Sequence, residues 1–387
     1  MHGAYSPATN VTTSRSIKPL VRKMSSLGAA AALALAGCAG SETGGTGFFA
    51  AVDLTGGGSS LINPIMAKWA TDYAALSGVR VNYQSIGSGG GIRQLSELIV
   101  DFGATDSPMT PSEVANARGG AVMHIPIIVG SVVIAYNLPE VGEPIRLTGE
   151  VVSEMYLGSI VKWNDPRIAM LNPGLALPDR DVLPVYRTDG SGTTFIFTSF
   201  LGSTSSRWTG DGAPGIGKAV RWTRGVGLGG KGNEGVAMLI KDTPGAVGYT
   251  EFAYATQNRL AMAPIRNAAG DFVAPGIDAT VAAADAALLA MADSSDLTVS
   301  LINQPHPDAY PIAAFSWLLV YEQPRDTVKA RKLADFVRWV VTEGDSQARA
   351  LDYAPIPPRL VEIVLERMER VAPTSGRVAE VERVVAP

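Results

Sequence analysis

The chain has 387 residues, 46% of them hydrophobic and 18% charged, enough for two ordinary domains with sizeable cores. Its net charge of −4 includes Arg15, Lys18, Arg22 and Lys23, with no acid among residues 1–37; setting those four aside leaves 28 of the 32 basic residues against 36 acidic ones, a balance of −8. An acidic body has no basic stripe for nucleic acid, one cysteine allows neither an internal disulfide nor a thiolate metal cluster, and His2, His124 and His306 are too scattered to form a metal-ligand pattern. No metal, cofactor or nucleic-acid partner is expected.

Lys18, Arg22 and Lys23 lead into an apolar run of 13 residues, 25–37. That run is too short to span a bilayer, which takes about 20 residues, and has the length of an export signal. Met24 lies beyond the basic stretch, so a start there would discard it. The run ends in Leu35-Ala36-Gly37-Cys38, which resembles the bacterial lipobox, where the signal is cut before a cysteine whose thiol is acylated. An ordinary secretory signal beside an unrelated cysteine is the alternative. Residues 39–47 are rich in Gly, Ser and Thr, the composition of a flexible tether. The division expected here is a lipoprotein signal peptide over 1–37, a lipidated Cys38 and tether over 38–47, and a folded body from Phe48.

Within the body, strand-like runs alternate with helical spacing, the pattern of an α/β fold. Residues 79–86 alternate as a strand, and 89–100 place Ile92, Leu95, Leu98 and Ile99 at helical intervals. Residues 101–104 read as a short strand. Thr110-Pro111-Ser112-Glu113 reads as a helix start, with cap, proline at the first position and glutamate three after the cap. Residues 125–136 and 313–321 are long apolar runs suited to strands buried in a sheet, and 359–371 are amphipathic.

Three segments place glycines and small hydroxyl residues directly ahead of apolar helices. Gly56 to Ser60 precede Ile65, Trp69 and Tyr73; Gly87 to Gly91 precede Ile92; Asp189 to Thr193 precede a helix predicted over 195–201, with Gly202 as its stop. The first N–H groups of a helix lack intrahelical partners and carry a partial positive charge, so an anion is favoured there. A serine in such a place is also a good N-cap on its own account. Three such loops, with Arg187 beside the third, point to one oxyanion.

The words and their order resemble the binding proteins of phosphate-specific ABC transporters. The resemblance rests on Leu54-Thr55-Gly56-Gly57-Gly58, Lys68-Trp69, Val81-Asn82-Tyr83-Gln84, Gly87-Ser88, Asp101-Phe102-Gly103-Ala104 with Asp106, and Tyr156-Leu157-Gly158 with Lys162-Trp163. It continues through Arg187-x-Asp189-Gly190-Ser191-Gly192-Thr193, Gly227 to Asn233, Pro244 to Tyr249 and Leu351 to Ala354, covering roughly 52–370.

The resemblance implies a two-lobed α/β fold of the periplasmic-binding-protein kind, with the hinge crossed twice and the ligand in the interlobe cleft. Lobe one would take 48–128 and 312–387, and lobe two 129–311. Ser60 and Ser88 match hydroxyl donors to phosphate, Leu61 a backbone donor, and Asp106 the acceptor of the phosphate proton. Arg187 matches the site's cation, held by Asp189, while Ser191, Gly192 and Thr193 match the donors of the third loop. The implied protein is a monomeric, lipid-anchored binder, not an enzyme. It would face the periplasm or the outer side of the cell membrane and hand inorganic phosphate to an importer permease.

Two features depart from the family pattern: Leu61-Ile62 stand where an aromatic residue and proline are usual, and Gly89 replaces a residue that is often serine. Read singly, Asp106 is also compatible with a turn before Pro108, and Arg187 with a surface ion pair to Asp189. Rival functions are binding of sulfate or molybdate on this scaffold, or a sensing or surface lipoprotein. A nucleotide enzyme is disfavoured, because the glycines at 225–232 lack the Ser or Thr of a P-loop and follow no clear strand. A serine hydrolase is disfavoured because no Gly-x-Ser-x-Gly occurs.

Overall fold

A computed structural model describes residues 53–372 apart from 224 and 293–296. The expected signal, Cys38 and the tether lie outside the described residues. Among the described residues eleven strands follow in chain order: β1 (Leu54–Gly58), β2 (Val81–Ser85), β3 (Phe102–Thr105), β4 (Val122–Tyr136), β5 (Leu183–Arg187), β6 (Leu228–Gly230), β7 (Ala246–Glu251), β8 (Ala261–Met262), β9 (Ile265–Arg266), β10 (Phe272–Val273) and β11 (Ala313–Tyr321). The main sheet runs β2-β1-β3-β11-β4-β7-β5-β6, with β8 on β4; β9 and β10 pair separately.

The protein has a two-lobed α/β fold, built as two parallel triplets on a shared antiparallel pair. In one lobe β1 lies parallel between β2 and β3; in the other β5 lies parallel between β6 and β7. The long strand β4 joins them. Its first part, through Ser131, pairs with β11, and from Val132 onward it pairs with β7. Both long strands are buried almost throughout, which accounts for their continuous apolar reading. Their register shifts between Ser316 and Trp317, where Ser316 faces Ile128 and Trp317 faces Pro126. Proline has no ladder donor to lose, so it sits comfortably at such an irregularity.

Helices cover the sheet, among them α1 (Asn63–Ser77), α2 (Ser88–Ser96) and α3 (Pro111–Ala115). The expected capping box opens α3: Thr110 accepts from the Glu113 N–H, and the Glu113 side chain accepts from the Thr110 N–H. Among the described residues no helix is long and apolar enough to cross a membrane.

Local expectations need three corrections. Gly56 to Gly58 are part of β1 and not of a loop; a Cβ on Gly56 would fall 2.1 Å from the Phe102 ring, so the glycines let β3 and its aromatic pack close. The helical pattern of 89–100 ends early, at Ser96. Leu98 is left-handed at φ 61° and Ile99 is exposed, because the chain must turn into β3. The helix after the third loop spans Gly192–Thr204 and runs through Gly202, where a Cβ would meet Ile216 at 2.7 Å. That glycine serves close packing, and the helix ends at Ser205.

The core fixes the site from beneath. Phe197 stacks on Tyr249 at 4.2 Å between ring centroids, with Tyr156 and Trp222 beside them. The Tyr249 hydroxyl accepts from the Arg187 N–H and bonds Thr194 Oγ1 at 2.7 Å. One buried tyrosine thus ties the end of β5 to the first turn of the next helix. The Trp163 indole donates to Gly245 O at 2.9 Å, joining two motifs that lie 82 residues apart in sequence.

Candidate oxyanion-binding site

Ligand sites in open α/β sheets form beyond the carboxyl ends of parallel strands. Ser59 and Ser60 follow β1, Ser88 follows β2, and Asp106 follows β3; Arg187 ends β5, Asn233 follows β6, and Glu251 ends β7. Ser60, Ser88, Asp106, Arg187, Ser191, Thr193 and Asn233 are all buried. The lobes meet here closely. A Cβ on Gly192 would stand 2.6 Å from both Asp106 Oδ2 and Ser88 Oγ, and one on Gly87, at φ 79°, would stand 2.3 Å from Asp189 Oδ2.

The hydroxyl groups are arranged with a common polarity. A serine or threonine hydroxyl has one proton and two lone pairs. Ser60 Oγ accepts from both the backbone N–H and the side-chain amide of Asn233, at 3.2 and 3.0 Å. Thr193 Oγ1 accepts from Arg187 Nη1 and Asn233 Nδ2, at 3.3 and 3.2 Å. Ser191 Oγ caps its helix by accepting from the Thr194 N–H at 3.0 Å. Their lone pairs are engaged by protein donors, while among the described residues no protein acceptor takes their protons. Such hydroxyls suit an acceptor-rich anion.

Asp106 is the one carboxylate in this group. Ser59 donates to Oδ2 at 2.5 Å, Ser88 donates to it weakly at 3.4 Å, and Ser316 donates to Oδ1. Burial pushes its carboxyl above the ordinary aspartate range, against the opposing pull of Ser316, Ser59, Arg187 and Ser88. Arg187 lies with its side chain 1% exposed. Nε and Nη2 donate to the two oxygens of Asp189, at 2.8 and 2.5 Å, in a forked pair. A guanidinium has five donors, so the bonds to Asp189 and Thr193 leave two of them. Burial works against ionisation of Asp189, but Arg187 and the Gly232 N–H outweigh it and hold the carboxyl below its usual range.

All eight residues expected at the ligand are brought together around these two side chains. The Leu61 N–H donates to Ser59 Oγ and the Gly192 N–H to Ser88 Oγ, each at 3.0 Å. Both would have to exchange or share these partners to bind an anion. Sequence reasoning gave no role to Ser59, Ser316 or Asn233. Asn233 ties the first loop to the third by donating to both Ser60 Oγ and Thr193 Oγ1, while its own oxygen accepts from the Glu251 N–H at 3.1 Å. The signal for Ser316 is a lone small hydroxyl residue in an otherwise apolar strand.

A model of the PBP superfamily domain matches residues 11–343. The "Phosphate-binding protein PstS" of Xylella fastidiosa is 41% identical over 312 residues, covering 80% of this chain and 83% of that protein. The chain belongs to the PstS family of phosphate-binding proteins. The PstS of Methanocaldococcus jannaschii is 36% identical over 324 residues, covering 79% and 82%. Among solved structures, the phosphate-binding protein from Stenotrophomonas maltophilia matches with a TM-score of 0.65 at 18% identity, covering 81% of this chain and 93% of that one. A high-affinity periplasmic phosphate-binding protein bound with phosphate matches equally well, with a TM-score of 0.65 at 20% identity and the same coverage. At these identities the structures speak for the fold.

Glu251 is the odd group beside this cluster. It is fully buried, pairs with Val132 where β4 changes partner, accepts from the Ala253 N–H at 2.9 Å, and among the described residues leaves Oε1 without a hydrogen-bond partner. Burial pushes its carboxyl well above the usual glutamate range, against the bonds from Ala253 and Tyr353. The folded chain therefore keeps this proton to higher pH than the unfolded chain does, and stability falls as pH rises from the ordinary glutamate range toward the raised value. Glu251→Gln has no proton to lose. Its melting temperature should exceed that of the parent protein near pH 8 and converge with it near pH 4. Equal values at both would show that Glu251 stays ionised in the folded chain.

Proposed function

We propose that this chain captures inorganic phosphate outside the cytoplasm and delivers it to the permease of an ABC importer, acting as a binder and not as an enzyme. The observation that carries the reading is the set of buried hydroxyls of Ser60, Ser191 and Thr193 whose protons no described residue accepts, gathered with Arg187 and with one carboxylate, Asp106, placed to accept from the ligand. Ser60, Leu61, Ser88, Asp106, Arg187, Ser191, Gly192 and Thr193 hold the anion, and Asp189 holds the arginine. Sulfate lacks a proton for Asp106 at neutral pH, which favours phosphate over the other tetrahedral oxyanions.

Lobe one takes 48–128 and 312–387, and lobe two takes 129–311. The partner change of β4 at Ser131 and Val132 lies close to the first boundary. Closure brings Arg187 and the third loop against Asp106 and shuts out water. The basic and apolar N-terminal run ending at Cys38 supports export and acylation, so the protein works as a monomer tethered to a membrane. The permease meets it there.

Calorimetric titration of the purified protein with phosphate should give one site per chain with micromolar or tighter affinity, about −8 kcal/mol or better. Absence of phosphate heat, or equal affinity for sulfate, sinks the reading. Partition of the full chain into the soluble fraction, with no lipid mass on Cys38, sinks the anchor alone.

A further inference from the structure

The lobes are also joined by an ion pair beside the binding cluster. Glu113 is on α3, which follows β3, and Lys218 is in the segment between the Gly192–Thr204 helix and β6. They belong to opposite lobes by strand connectivity and are 105 residues apart in sequence. Lys218 Nζ donates to Glu113 Oε2 at 2.8 Å, with side-chain exposures of 16% and 28%.

The carboxylate of one partner and the backbone of the other are already held in place. Glu113 Oε2 also accepts from the Thr110 N–H at 2.8 Å and from Thr110 Oγ1 at 3.1 Å, so the capping box fixes the carboxylate without help from the other lobe. Lys218 O accepts from the Ser191 N–H at 2.8 Å, and Ser191 caps the helix whose first turn lines the anion site. The carboxylate is thus ordered before the pair forms, and the ordering cost falls mainly on the Lys218 side chain. Alongside, the Gly89 N–H donates across the cleft to Gly190 O at 2.9 Å. Burial works against ionisation of Glu113, but the bonds from Lys218 and Thr110 outweigh it, so the carboxyl is charged at neutral pH.

We propose that Glu113 and Lys218 form a latch, made when the cleft closes and broken when it opens, that sets how long the anion stays bound. The latch touches no ligand atom. It positions the third loop against the first lobe, and it rests on the phosphate-binding reading above. A contact present only in the closed form should slow opening and leave encounter almost unchanged, which is the signature of a desolvated pair and not of a rim charge that steers approach.

The test is rapid-mixing measurement of phosphate association and dissociation for the parent protein, Glu113→Gln, Lys218→Met and the double variant. Glutamine also serves at the third position of a capping box, so Glu113→Gln keeps α3 capped. Lys218→Met keeps the backbone carbonyl that holds Ser191. Each single change should speed dissociation about two- to tenfold, with association nearly constant, and the double variant should release no faster than the quicker single one. At about 1 M salt the gap should narrow, because a screening length of about 3 Å weakens the pair in the parent protein. Dissociation at the parent rate, an effect confined to association, or additive single effects would overturn the latch. So would a loss confined to the melting temperature, which would make the pair a structural bridge only. Failure of the parent protein to bind phosphate would overturn the binding reading itself, and the latch with it.

Discussion

Asp106→Asn should bind phosphate more weakly, but its ability to reject sulfate should fall much further. At neutral pH bound phosphate carries at least one proton and sulfate none. Ionised Asp106 can accept that proton; facing sulfate it meets only lone pairs and negative charge in a buried site, where an unpaired charge is costly. Polar sites that are left unpaired by the wrong ligand discriminate by about ten-thousandfold or more, so parent-protein selectivity of at least a thousandfold is a moderate expectation. Asparagine keeps the shape and can offer Ser316 an oxygen, while its amide turns an acceptor into a donor. Competition calorimetry should place sulfate within about tenfold of phosphate in the variant. Arsenate, protonated like phosphate, should compete in the parent protein. Because burial raises the Asp106 carboxyl, its protonated form grows in as pH falls, and it can then donate to sulfate. Selectivity should therefore weaken toward acid and be complete on the alkaline side. Parent protein that binds sulfate within tenfold of phosphate at neutral pH removes the role of Asp106 and the phosphate assignment together.

Arg187→Ala should cost roughly 1–3 kcal/mol of binding, five- to more than a hundredfold in affinity. The loss is bounded because hydroxyl and backbone donors remain. Two of the five guanidinium donors are available beyond the bonds to Asp189 and Thr193, and Thr193 Oγ1 would also lose one of its two bonded donors. Arg187→Lys should rescue little, since an ammonium cannot reproduce the planar fork that pairs with both oxygens of Asp189. Asp189 keeps the Gly232 N–H at 3.1 Å and is not left wholly unpaired, so folding should survive. An unchanged dissociation constant in Arg187→Ala, with an unchanged melting temperature, would place the anion elsewhere.

The sequence carried the class of fold and much of the ligand cluster, for reasons that differ by segment. Strands β4 and β11 were legible because burial on both faces leaves an unbroken apolar run. The start of α3 was legible because capping is local chemistry, fixed by Thr110, Pro111 and Glu113. The glycines of β1 misled, because their purpose is the approach of Phe102 some 45 residues away, and no local rule announces a distant ring. Gly202 misled for the same reason, through Ile216. Ser316 and Asn233 went unassigned because their roles exist only after folding: one reaches Asp106 over 210 positions, the other Ser60 over 173. Asp106 and Arg187 were found through their neighbours in sequence, but the polarity of the surrounding hydroxyls is a property of bonds and not of residue types.

The position of β11 has a consequence for the order in which the chain can fold. Among the described residues it is the last strand in sequence, yet a central one in space, seated between β3 and β4. A nascent chain that ends before Ala313 holds every other strand, yet β3 and β4 lack the ribbon that joins them, and each keeps an open edge. Pairing at such long sequence separation is intrinsically slow, and open edges invite pairing with other chains. Synthesis of most of the polypeptide therefore precedes any complete sheet in lobe one. Under the export proposed above, late closure keeps the chain in transportable form for as long as its final fifth is still being made.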